Sequence, residues 1–171
     1  MSKKISNTLR TLVLTSLCLS PLAQADSLTV NISGNVIAAP CTVKSSNPLN
    51  VVLPDIEATK LSTSGSSSPF VNFDLELEGC PASTTKVTAT YGGTASSLST
   101  NSFINTGTAT QVVLYLQDSA GSEIAPNTTR QVAVDSLSHT AKLSQKVQIY
   151  AMGASTPGTV NGNTLVSFTY Q

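Results

Sequence analysis

The sequence predicts an all-β domain, a sandwich or a barrel, and three observations predict it. Short runs of β-branched and aliphatic residues are separated by clusters of Gly, Asn, Ser and Pro. No stretch sustains a helical period. The composition is dominated by Ser, Thr, Val, Ala and Leu, with 11% charged residues and no Trp, as in sandwiches built from many short strands.

The chain opens with a segment that belongs to export and not to the fold. Lys3, Lys4 and Arg10 precede the apolar run Leu12 to Leu19, which leads through Pro21 to the small-residue signature Ala23-Gln24-Ala25. This is the pattern of a cleavable secretory signal over residues 1–25, too short to span a bilayer. Cys18 lies inside it behind Leu17, not behind a small residue, so a lipid-anchored cysteine is not expected. Cleavage leaves 146 residues beginning at Asp26, enough for one domain. Six basic residues then face nine acidic ones, a formal charge of −3. Neither nucleic acid nor an anionic membrane surface is an expected partner.

The first strand candidate is Leu28 to Val36. Leu28, Val30, Ile32 and Val36 take even positions with Gly34 among them, and Thr29, Asn31, Ser33 and Asn35 take the odd ones, the period of a strand with one apolar edge. By pattern alone it reads as an ordinary first strand of a sheet. Asn50 to Leu53 follows, ended by Pro54, and then a Ser-rich loop closed by Pro69. Phe70 to Glu78 alternates Phe73, Leu75 and Leu77 against Asp74, Glu76 and Glu78. Those carboxylates lie along a line and do not wrap a point, so a solvated outer face is expected in place of a calcium site.

Val87, Ala89 and Tyr91 mark the next strand, stopped at Gly92-Gly93. Gln111 to Gln117 is apolar on both faces, which predicts a central strand, and Asp118 to Gly121 supplies a turn. Arg130 to Asp135 and Lys146 to Met152 give two more, the latter with Val147, Ile149 and Ala151 inward. The last strand places Val166, Phe168 and Tyr170 on one face and runs to the C-terminal residues. Chain ends usually fray, so a penultimate aromatic there implies that something holds the end in place.

Cys41 and Cys80 remain after cleavage, an even count in an exported chain. One disulfide closing a loop of about 40 residues is the natural inference, with a loop-entropy contribution of about 4 kcal/mol; two buried free thiols are the alternative. The single His139 and the absence of any Cys-x-x-Cys leave too few ligands for zinc. His139 sits in a polar connection, Ser-Leu-Ser-His-Thr, and no Gly-x-Ser-x-Gly occurs, so no catalytic residue, metal or cofactor is expected.

Taken together, several motifs resemble the subunits of chaperone-usher fimbriae (pili), most closely the minor subunits of type 1 fimbriae. They are the alternating extension with Gly34, the lead-in Val36-Ile-Ala-Ala-Pro-Cys41, the closure Leu77-Glu-Gly-Cys80-Pro81, the segment Leu114-Tyr-Leu-Gln-Asp-Ser-Ala-Gly121, and an end with Tyr170 penultimate and Gly158 fourteenth from the C-terminus. The resemblance implies an incomplete immunoglobulin-like β-sandwich, the pilin fold, over residues 37–171, preceded by a donor-strand extension over residues 26–36. It implies that Leu28, Val30, Ile32 and Val36 enter a neighbour's groove, with Gly34 where no side chain fits. Gly158, Val166, Phe168 and Tyr170 would belong to the receiving C-terminal strand, and Cys41 and Cys80 would match the family's disulfide. The implied partners are a periplasmic chaperone, an outer-membrane usher and neighbouring subunits, joined by β-strand addition. A structural subunit exported through the periplasm to a surface fimbrium is therefore expected. A carbohydrate-binding tip adhesin is the alternative, disfavoured because 146 residues leave no room for a lectin domain.

Overall fold

The computed structural model describes residues 28–37 and 39–171. The leader expected over residues 1–25 lies outside them, as do Asp26, Ser27 and Ala38. The chain divides into two units, Met1–Gly34 and Asn35–Gln171. In the first, the described residues form no strand, and Leu28, Val30 and Ile32 are exposed. The predicted alternation of Leu28 to Val36 therefore exists as a pattern without a paired strand.

The second unit holds two antiparallel sheets. Strands β1 (Thr42–Val43), β2 (Val71–Glu78), β3 (Lys86–Gly92), β4 (Phe103–Ile104), β5 (Val112–Asp118), β6 (Thr128–Ala133), β7 (Ala141–Ala151) and β8 (Leu165–Tyr170) follow in chain order, with one 3₁₀ turn at Ala58–Leu61. One sheet runs β1-β2-β7-β5-β4 and the other β6-β3-β8. Among the described residues no helix is long and apolar enough to cross a membrane.

Alternation sets which side chains meet between the sheets. Leu75 and Leu77 of β2, Leu116 of β5, Leu143 of β7 and Val87, Ala89 and Tyr91 of β3 are buried in one cluster with Cys41 and Cys80. Leu61, Val112, Ile149 and Ala151 form a second cluster. Cys41 and Cys80 are bonded, fastening the lead-in to β1 to the end of β2, whose strands also pair Thr42 with Glu78. The three carboxylates of β2 stay on the solvated face. Lys142 of β7 lies 2.7 Å from Asp74 and 3.8 Å from Glu76, and Lys44 lies 3.4 Å from Glu76. These cations answer the charge of Asp74 and Glu76 across the strands.

Two strand assignments differ from the sequence reading. Asn50 to Leu53 is not a strand; it has strand composition but no neighbour to pair with, and Pro48 and Pro54 flank it without N–H groups. β5 is an interior strand of the larger sheet, as expected, between β7 at the middle and β4 at the edge. β5 is indeed buried on both faces at Val112 and Val113, but β4 covers its outer edge for two residues only. β7 begins five residues before the sequence reading placed it.

Candidate functional site

The smaller sheet ends abruptly. β8 pairs with β3 from Leu165 opposite Gly92 to Tyr170 opposite Val87, and among the described residues no strand pairs with its other edge. Beside that edge lies an open groove of about 1260 Å³. Phe73 and Leu75 of β2, Leu114 and Leu116 of β5, and Val147 and Ile149 of β7 are among its apolar lining, and Val166 and Phe168 of β8 line it too. Residues from both core clusters meet there, so the gap divides a core that one more strand would join.

The segment Ser46 to Glu57 also lines the groove. Among the described residues, the stretch 46–56 makes no hydrogen bond between backbone groups. Extended chain with unused N–H and C=O groups on one side, and an unpaired strand edge with the same on the other, make a template for a missing strand. The charged residues in the lining are Asp55 and Glu57, and the side chains that β2, β5, β7 and β8 contribute to it are apolar apart from Gln145.

The residues predicted from sequence fall into three places. Val166 and Phe168 lie on β8, half-buried and facing the groove. Tyr170 shares their face but packs at the disulfide end, where its hydroxyl donates to the Cys41 carbonyl at 3.4 Å and burial raises its pKa. Gly158 is not on β8. It lines the groove in the preceding segment, against residues 108–109, where a Cβ would stand 2.4 Å from the Ala109 nitrogen. Thr106 and Ala109 donate to the carbonyls of Asn161 and Thr159 across this approach.

Leu28, Val30, Ile32 and Val36 are 69% to 104% exposed. Among the described residues, a Cβ on Gly34 would meet nothing within 4 Å.

His139 is exposed in the turn between β6 and β7 at φ 56°. Its ring Nδ1 lies 3.0 Å from the Cys80 carbonyl, and its own carbonyl accepts the Cys80 N–H, also at 3.0 Å. It is a clip on the disulfide corner, with no nucleophile in its bonding.

Sequence reading missed Gln145. It is 3% exposed on β7, in an inward slot between Leu143 and Val147, and it lines the groove. Its Nε2 donates to the hydroxyl of Tyr91, whose pKa burial pushes up to about 12 against the pull of Arg130 and this bond. The signal was present: the alternation of β7, carried back to Ala141, places one polar residue among the apolar ones.

Known proteins share this arrangement. The family model described as Fimbrial protein matches residues 30–171. Protein FimG of Escherichia coli strain K12 is 35% identical over 152 residues, 88% of this chain and 89% of its own. The S-fimbrial adhesin protein SfaS of E. coli strain 536 is 31% identical over 153 residues, 90% of this chain and 91% of its own. Among solved structures, the P pilus rod subunit PapA superposes with a TM-score of 0.66 at 14% identity, over 78% of this chain and all of that one. A subunit in the structure of a chaperone-usher pilus gives 0.64 at 18%, over 89% of this chain. At such identities the superpositions speak for the fold alone, the incomplete immunoglobulin-like sandwich. The family match over nearly all the described residues and the identity to FimG carry the assignment itself: this chain belongs to the fimbrial protein family, the subunits of chaperone-usher pili.

Proposed function

We propose that this subunit polymerises by donor-strand exchange. As a fimbrial subunit it is exported and built into surface fimbriae, and its relatives are structural proteins and not enzymes. In our reading its groove receives the N-terminal extension of the next subunit, and its own residues 26–36 fill the groove of the preceding one. A single observation carries this: an apolar groove bounded by the free edge of β8 and by the unbonded backbone of residues 46–56. An inserted strand supplies ladder bonds to those backbones and alternate side chains to the apolar floor.

Leu28, Val30, Ile32 and Val36 are the donor side chains, and Gly34 the point where the receiving wall approaches. A periplasmic chaperone occupies the groove during export, and an outer-membrane usher exchanges it for the next subunit. The similarity to FimG favours a minor, adapter position.

The experiment is refolding of the exported chain with and without a synthetic Asp26–Ala38 peptide. The protein alone is expected to self-associate, and the peptide to raise its thermal midpoint, as a ligand of the folded state does. A stable monomer whose midpoint is unchanged both by the peptide and by deletion of residues 26–33 would refute the reading.

A second reading, that the subunit itself adheres to a glycan, draws on the similarity to SfaS. Tyr115 and Tyr150, with ring centroids 5.6 Å apart, are its aromatic surface. Glycan-array binding by the strand-filled subunit that is lost in Tyr150→Ala would establish it.

A further inference from the structure

The groove floor carries one group that an all-apolar strand cannot satisfy. Gln145 lines the groove at 3% exposure, and its Oε1 has no hydrogen-bond partner. That oxygen is also closed to solvent, so water does not answer it. Turning the amide over, so that Tyr91 donates to the carbonyl, leaves the NH₂ unpaired in its place. Either way half of a carboxamide is unpaired at the base of the groove.

The cost depends on what is inserted. An apolar strand seals the amide away from any partner, whereas a hydroxyl, which donates and accepts, bonds to either end of it. Gln145 lines the groove and its terminal torsion is soft, so the amide can reorient to meet an inserted hydroxyl.

The chain's own extension is the wrong strand by this criterion. Its inward set is Leu28, Val30, Ile32, Gly34 and Val36, and none of these side chains forms a hydrogen bond. Thr29, Asn31, Ser33 and Asn35 are polar but occupy the other face, and bringing them inward requires a one-residue slip that turns every aliphatic side chain out.

We infer that Gln145 is a register and partner key: the groove prefers a strand that presents Ser or Thr at the inward position facing it, and so selects an unlike subunit over a second copy of this chain. The inference rests on the groove being a strand site. It supplies a physical reason for a place between unlike subunits, since specificity here comes from penalising the wrong strand as well as from rewarding the right one.

The test refolds the full exported chain with labelled Asp26–Ala38 peptide, or with one of four versions carrying Leu28→Thr, Val30→Thr, Ile32→Thr or Val36→Thr, and measures release. One Thr version is expected to be held longer than the unmodified peptide. Its advantage, about fivefold or more, should vanish in Gln145→Met and in Gln145→Leu, two variants that keep the volume and remove the amide. The comparison among peptides on the unaltered chain stands even if neither variant folds. If every Thr version leaves faster than the unmodified peptide, by the same factor whatever residue stands at 145, the key is refuted while the strand site survives. If no peptide is retained at all, the strand site falls and the key with it.

Discussion

Gly158 and Gly34 are both glycines of the proposed exchange machinery, and their surroundings separate two kinds of requirement. At Gly158 the demand is internal, because a Cβ would sit 2.4 Å from the Ala109 nitrogen and 2.7 Å from the Thr108 carbonyl carbon. Backbone cannot give way as a flexible side chain can, so Gly158→Ala is expected to cost about 1–3 kcal/mol and lower the thermal midpoint by several degrees. At Gly34 no described residue is near, so Gly34→Ala should leave the midpoint of the lone chain unchanged and weaken only the insertion of that segment into a partner. Thermal unfolding of the two variants, with a strand-release assay on the second, checks both.

Two carboxylates set the acid limit at the same scale. The hydrogen bond from Lys142, then that from Ser144, hold the Asp74 carboxyl below its usual pKa. The Ser138 and Leu137 N–H groups do the same for Asp135 in the turn before His139. Both pKa values are lowered by folding, so the stability these groups lend is complete above the unfolded value of about 4 and is lost as the pH falls through the folded ones. Replacing both with Asn should make the acid limb of the midpoint-against-pH curve shallower below about pH 4, with little change in slope at neutral pH.

At the scale of elements, β8 and the 46–56 segment behave as two walls awaiting a third member. Amides of residues 46–56, and those of β8 that face away from β3, should exchange rapidly with solvent deuterium in the lone subunit. Both sets should become protected together when a donor peptide is added. Protection confined to one wall would mean that the peptide lies on the surface and not in the groove. Phe168→Ala should speed peptide release, because that ring lines the groove. Tyr170→Phe should affect mainly the lone chain, because its hydroxyl bonds to Cys41 and its ring packs outside the groove lining.

For the whole molecule, a core divided into two clusters by an open groove implies that stability in the lone state depends heavily on covalent restraint. The Cys41–Cys80 bond closes a separation of 39 residues, and the chain-entropy estimate for a loop of that size is about 4 kcal/mol. That is a large share of the 5–15 kcal/mol typical of a folded domain. The double variant Cys41→Ser/Cys80→Ser should therefore fail to fold alone at physiological temperature, and a bound donor strand should restore part of the loss. Equal midpoints with and without the disulfide would contradict this.

The reach of the sequence can be judged from particular stretches. Alternation in β2 and β8 was legible because each strand has a less exposed apolar face and a wetter polar one, and that asymmetry is written into the residue order itself. The same rule failed at Asn50 to Leu53, where strand-like residues line up but no second strand arrives to bond with them. It also cut β7 short and so passed over Gln145. The pairing of Cys41 with Cys80 was accessible by count, and the family likeness by the order and spacing of its motifs.

What the sequence by itself determined is therefore the local alphabet: which residues alternate, which turn, which cysteines can bond, and that the leading segment is amphipathic. Only the tertiary structure decided that β8 is an edge, that residues 46–56 line the same groove with their backbone unbonded, and that Gln145 lines it without a full set of partners. The physical reason is that an edge is defined by the absence of a neighbour. Absence of that kind depends on contacts between segments far apart in the chain, and no periodicity along the chain records it.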